Sequence, residues 1–238
     1  MSRSKPNDNT PNPASRWYEW NGEHGKVRHY DKDAKQNVEA DLPFTFVLLD
    51  ELGSVRGWHE SSSSGIYSNE VRDTRQDVLV VKAFKGGTLV EGLYKDIKDR
   101  ANSAGGHFVA NCYIAIKGDD GMDIGAIRFK GAALGAWMEF RKANRSQLYK
   151  KAVEIDGFTE GKKGRVVFRV PTFKLKDLSE STNQIALGLD AELQTYLTTY
   201  LNRTKRDQVE TVGAANGHDD DVPHEPVGAP LNDDDIPF

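Results

Sequence analysis

From Asp207 to Phe238 the chain carries nine carboxylates and no lysine or arginine, a stretch too charged and too poor in apolar residues to build a core. Whatever folds must come from the residues before it. The whole-chain totals hide this division, because nine of the 36 Asp and Glu residues lie in the tail, leaving 27 against all 32 Lys and Arg residues in positions 1–206. The body thus carries +5 and the tail −9, and a region that attracts polyanions also attracts its own polyanionic tail.

With 238 residues and 37% hydrophobic content, one domain with a full core is expected. Residues 1–14, rich in Asn and Pro, read as a disordered N-terminal segment, 15–206 as the folded domain and 207–238 as a disordered acidic tail. The N-terminal residues contain no apolar run of the kind a signal peptide needs, and no stretch approaches the roughly 20 apolar residues that span a bilayer. Cys112 is the single cysteine, which excludes an internal disulfide and a cysteine-cluster zinc site and suits a reducing cytoplasm.

The pattern within the body is mostly that of strands. His107–Lys117 is the clearest, with Phe108, Ala110, Cys112, Ile114 and Ile116 alternating to one side and His107, Asn111, Tyr113 and Lys117 to the other. Arg16–Trp20 and Lys26–Tyr30 flank a bend at Asn21 and Gly22. Pro43–Asp50 reads as a central strand that turns near Gly53 into Ser54–Glu60, followed by a loop at 61–65 and strands at Ile66–Val71 and Val78–Phe84. Met122–Lys130 follows a turn at Gly118–Gly121, and Ala152–Phe158 with Arg165–Phe173 forms a final hairpin.

Thr88 opens a predicted helix of about fourteen residues with Leu89, Leu93 and Ile97 as its buried stripe. A second helix is expected over Ala132–Lys142. A third, capped by Ser181 and Gln184, has Leu189, Leu193, Tyr196, Leu197, Tyr200 and Leu201 as its apolar stripe, for packing on the barrel or for a dimer contact. Eight to ten short strands with interposed helices predict a mainly β fold with helices, built on a β-barrel.

The tail ends in Asp233, Asp234, Asp235, Ile236, Pro237 and Phe238. A solvating tail gains nothing from an isoleucine and a phenylalanine at its terminus, whereas a docking peptide does: the ring can fill an apolar pocket, the α-carboxylate can meet a basic residue, and the aspartates can steer. This DDDIPF tip resembles that of bacterial single-stranded DNA-binding proteins, which recruit replication and repair enzymes through it. The long body closed by a helix resembles instead the single-stranded DNA-binding proteins of bacteriophages. That resemblance implies an elaborated OB fold with two interposed helices and a long C-terminal helix, a groove for single-stranded DNA, replication or recombination partners held by the tip, and a place in the cytoplasm of a bacterial host.

Binding single strands requires cations for phosphates and flat rings for bases, and no catalytic group. Candidate pairs lie on the strand faces opposite the apolar ones: Arg28 with Tyr30, Arg56 with Trp58, Tyr113 with Lys117, and Arg165 and Arg169 with Phe173. No Ser/His/Asp, Cys/His or paired-carboxylate motif points to an enzyme, and no cofactor or metal is implied. The histidines and acids at 218–225 sit in a Pro- and Gly-containing stretch that cannot hold a metal rigidly, and Gly161–Gly164 lacks the spacing of a phosphate loop and reads as a basic hairpin tip. Two other readings share these features: an RNA-binding or nucleic-acid chaperone barrel, and a strand-annealing recombination protein.

Overall fold

The computed structural model describes residues 11–118 and 121–211; the candidate partner-binding residues of the acidic tip, Asp233–Phe238, lie outside them. The first hairpin pairs β1 (Trp17–Asn21) with β2 (Lys26–Asp31). Asn21 forms its bend, the side-chain oxygen accepting the N–H groups of Glu23 and His24 at 3.0 and 3.3 Å, and Gly25 supplies the positive φ of 68° that follows. Asp31 turns the chain into β3 (Gln36–Ala40), a polar strand at the sheet edge whose only regular pairing is with β2.

The next strand organises the body. β4 (Phe44–His59) runs 16 residues without the break expected near Gly53. Gly53 stays in the strand because the Phe108 ring lies across it, and a Cβ there would come within 2.7 Å of that ring. A 3-10 turn at Glu60–Ser62 occupies the expected loop, and β5 (Ser64–Ser68) and β6 (Leu79–Ala83) follow.

Where a helix was predicted from Thr88, the chain forms β7 (Gly87–Gly92) and then α1 (Tyr94–Ser103). Leu89 and Leu93 have helical spacing from Ile97, but Val90 is buried against β6 in the ladder, and Gly92 at φ 149° separates strand from helix. β8 (Gly106–Lys117) and β9 (Met122–Lys130) form the central hairpin, α2 (Gly131–Ala143) leads to β10 (Ala152–Lys163) and β11 (Val166–Lys176), and α3 (Glu180–Thr211) closes the body. The α3 cap is Ser179 rather than Ser181: its Oγ accepts the Thr182 N–H at 3.1 Å. None of the described helices is long and apolar enough to cross a membrane.

The fold is mainly β with three α-helices, as expected, but its sheet is mixed and open rather than a closed barrel. The strand order is β3-β2-β1-β9-β8-β4-β5-β6-β7, with β10 joining the start of β4 and β11 outside it. β11 meets the first hairpin without forming a ladder. The Arg169 N–H donates to the Gly22 carbonyl at 2.7 Å and its carbonyl accepts from Trp20 Nε1 at 2.7 Å, while β1 pairs in parallel with β9.

Three hydrophobic clusters result, and β4 contributes to each. Phe44, Phe46 and Leu48 join Trp137 of α2 and Phe129 of β9; Val47, Leu49 and Leu52 meet Leu193, Tyr196 and Leu197 of α3; Val55 joins Ile66, Leu79, Val81 and Ile97 in the inserted β5–β7 and α1 unit. A fully buried Trp137, stacked on Phe129 at 5.1 Å, fixes α2 against the sheet. Its Nε1 donates to Glu51 at 2.9 Å, so the polar edge of the indole is also satisfied.

Candidate nucleic-acid interface

Directly paired residues in a sheet point to the same side, and so do residues two apart on one strand. Followed through the registers, Arg28 pairs with Glu19, Glu19 with Arg128, Arg128 with Asn111, and Asn111 with Leu52. One row further, Lys130 pairs with Val109 and Val109 with Ser54; beyond that, His107 pairs with Arg56. Steps of two along β2, β4 and β8 add Tyr30, Trp58, Tyr113 and Lys117. Six of the nine body residues singled out in the sequence therefore share one sheet face.

That face is divided. Over its apolar part lies α3, whose Leu193, Tyr196 and Leu197 pack on Val47, Leu52, Tyr113, Ala115 and Ala126. Outside that apolar cluster the same strands turn basic, with Arg56 on β4, His107 on β8, and Arg128 and Lys130 on β9. Lys130 is exposed, and Arg56, His107, Arg128 and Trp58 are partly so. The Arg128 guanidinium sits 4.1 Å from the centre of the Trp17 ring.

Glu70 marks the border. Its buried carboxylate accepts from Asn111 Nδ2 at 2.5 Å and from Tyr113 Oη at 2.7 Å, and its N–H donates to Tyr200 Oη of α3 at 2.8 Å. Burial pushes the Glu70 carboxyl above its ordinary range, against the hydrogen bond from Tyr113 and the nearby positive charges of Arg56 and Arg128. The same burial, with the Glu70 charge beside it, raises the Tyr200 hydroxyl to about 12 and the Tyr113 hydroxyl further. Asn111 Nδ2 also donates to Ser54 Oγ at 2.8 Å, so this polar seam holds α3, the 69–71 segment and the central strands together.

The nine candidates fall into distinct places. Arg56 and Trp58 are together on the open part of the face. Arg28 and Tyr30 lie on it at the β2 side, where the Arg28 Nε donates to Glu19 at 2.7 Å, so its charge is already matched. Lys117 is exposed at the opposite end of β8, next to the turn into β9. Tyr113 is 0% exposed and held by Glu70 and, at 3.2 Å, by Asn12, so no base can reach its ring without unpacking α3.

The last hairpin does not present its three residues as a set. Arg165 is exposed in the β10–β11 turn. Arg169 is clamped in the junction with the first hairpin, donating to the Glu23 carbonyl, pairing with Glu160 at 3.4 Å and lying over the Phe158 ring at 5.3 Å. Phe173 points into the aromatic cluster of α2, 5.4 Å from Trp137 and from Phe129 and 5.3 Å from Phe140, and is core.

Sequence reasoning missed Arg128 and Lys130, which have no aromatic neighbour two residues away. A signal was present: on β9 the residues 122, 124 and 126 are Met, Ile and Ala, and 128 and 130 of the same parity are Arg and Lys. β4 makes the same switch from Leu52 through Ser54 to Arg56. The change from apolar to basic falls at one level on neighbouring strands, past the residues that pack on Leu193, Tyr196 and Leu197. Chemically, such a surface can neutralise phosphates and offer a ring to a base. Among the described residues no group of three His, Cys, Asp or Glu side chains could hold a metal ion. Comparison with protein-family models, curated proteins and solved structures finds no match to this chain.

Proposed function

We propose that the protein is a non-enzymatic single-stranded DNA-binding protein of bacteriophage type, coating unpaired DNA during replication or recombination in a bacterial cytoplasm. The observation that carries this reading is the basic part of the sheet face, where Arg56, His107, Arg128 and Lys130 from three adjacent strands share a side with Trp58. Phosphates meet cations there and bases meet a ring, which is what sequence-tolerant binding of single strands requires. The acidic tip, by the resemblance of its sequence, serves to recruit replication or recombination proteins, with Phe238 as the anchor.

The OB part of the proposal draws on strand order. β4, β8 and β9 form a meander, α2 follows, and β10 returns to pair with the start of β4 before β11 completes the set. A five-stranded, partly open Greek-key barrel has this course. In this chain β1 lies beside β9, and the hydrogen bonds of Arg169 to Gly22 and Trp20 bring β11 near.

The test is binding of the full chain to labelled single-stranded DNA, RNA and duplex at several salt concentrations. Four to six phosphate contacts on a single strand give a slope of log affinity on log salt of about −3 to −4. Equal affinity for duplex rejects the reading, and a preference for RNA moves it to an RNA chaperone. Deleting Phe238 is expected to abolish partner capture while leaving DNA binding intact; capture of the same partners without Phe238 removes the recruiting role.

A further inference from the structure

The unit inserted between β4 and β8 has two sheet faces of different character. Ile66, Val81 and Val90 point into a core closed by Ile97 and Ala101 of α1. The other face continues the basic one described above across the far edge of β4. Trp58 pairs with Gly65, Tyr67 pairs with Lys82, and the Phe84 N–H donates to the Gly65 carbonyl at 3.0 Å, so Phe84 stands on the far side of Gly65 from Trp58. The Tyr67 and Phe84 rings are 6.3 Å apart and tilted by 58°.

Two features separate this surface from an ordinary solvated sheet face. Its rings reach solvent, Phe84 being 41% exposed and Tyr67 and Trp58 partly so. Between Trp58 and Phe84 the strand carries a glycine at an ordinary φ, and a Cβ there would meet nothing within 4 Å. A strand interior normally favours a β-branched residue at such a place, because Gly leaves no side chain to pack. Here its absence leaves a bare floor between two rings, with exposed Lys82 in the next row.

We propose that Trp58, Tyr67 and Phe84 around Gly65 form a stacking subsite for unpaired nucleobases, with Lys82 and Arg56 beside it for the connecting phosphates. The subsite rests on the single-strand reading above and extends its track from β9 across β8, β4 and β5 to β6, about 19 Å at about 4.8 Å per strand. Rings arranged in this way accept any base by its face, so they add affinity without sequence preference. They also select against duplex, in which each base face is already covered by its neighbours.

The full chain is titrated with fluorescein-labelled dT20 at three salt concentrations, comparing wild type, the Tyr67→Ala/Phe84→Ala double variant and Gly65→Val. The double variant is expected to lose about tenfold in affinity per ring, with an unchanged salt slope because no charge is removed. Gly65→Val is expected to melt at or above the wild-type temperature, since the space is open and valine favours a strand, and yet to bind dT20 at least about tenfold more weakly. If the double variant does not fold, Gly65→Val decides alone. Wild-type affinity in a folded Gly65→Val overturns the subsite while leaving the single-strand reading in place; failure of the wild-type chain to bind dT20 overturns both.

Discussion

The two parts of one sheet face differ in what lies over them and hardly at all in how their strands are built. Under α3, Tyr113 is an aromatic on a strand with a lysine four residues on; beyond α3, Trp58 is an aromatic on a strand with an arginine two residues before. Both have the pattern of a base-stacking ring beside a cation. One is 0% exposed and bonded to Glu70, and the other stands open beside Arg56. An aromatic on a strand is thus left open or made part of the core according to where a helix lands, for Tyr113 more than sixty residues later in the chain.

The largest effect separating the two parts is on stability. Leu197→Ala, under the helix, is expected to cost about 2–5 kcal/mol, seen as a lower melting temperature, with unchanged affinity for single strands in the fraction that stays folded. A parallel loss of affinity would mean that α3 itself touches DNA. Next in size, Trp58→Ala is expected to cost about 1–3 kcal/mol of affinity with little change in melting, while Tyr113→Ala lowers melting without a specific affinity loss. The reverse pattern would exchange the roles of covered and open parts.

Smaller still, Lys130→Ala is expected to weaken binding by under about 1 kcal/mol and to reduce the salt slope by about 1 in magnitude, whereas Lys117→Ala at the far end leaves both unchanged. Equal effects from the two lysines would extend the contact surface along the whole strand.

The subtlest contrast appears only on changing pH. Glu154, whose carboxylate receives Lys176 at 2.7 Å, Lys174 at 3.0 Å and Thr45 at 2.9 Å, is held down to about 2, first by Lys176 and then by Lys174. Its contribution is present above the ordinary value of 4.5 and is lost as pH falls from there toward 2. Glu70 is raised by burial, so its contribution is fully present below 4.5 and is lost as pH rises through its folded value. Melting curves from pH 2 to 7 should therefore flatten at the acid end in Glu154→Gln and lose part of their decline above 4.5 in Glu70→Gln. No change in either variant would remove both carboxylates from the stability of the fold.

Much of the fold was legible because Phe108, Ala110, Cys112, Ile114 and Ile116 set one apolar face of β8, and Leu193, Tyr196, Leu197 and Tyr200 recur on one side of α3. The edge strand β3 was not, since Gln36, Asn37 and Glu39 carry no apolar signal and the strand exists by pairing with β2. β7 was misread because Leu89, Leu93 and Ile97 fit a helical stripe while Val90, decisive in the structure, falls between them. The candidate site was legible as pairs of residue types. Its division was not, because the burial of Tyr113 by α3 and the turning of Phe173 into the α2 cluster are tertiary events with no local signature.

β4 supplies side chains to all three hydrophobic clusters, and that fixes how the molecule must come apart. Neither α2, nor α3, nor the inserted unit can be lost without exposing apolar groups on the same strand, so their opening reactions are coupled through a shared backbone. Amide protons in the middle of β4, between Leu48 and Val55, should exchange with solvent only through global unfolding and rank among the slowest in the chain. The basic face of the sheet, proposed above for single strands, is thereby anchored on the segment least given to local fluctuation, so a strand binding there would meet a surface that does not need to be ordered on its arrival.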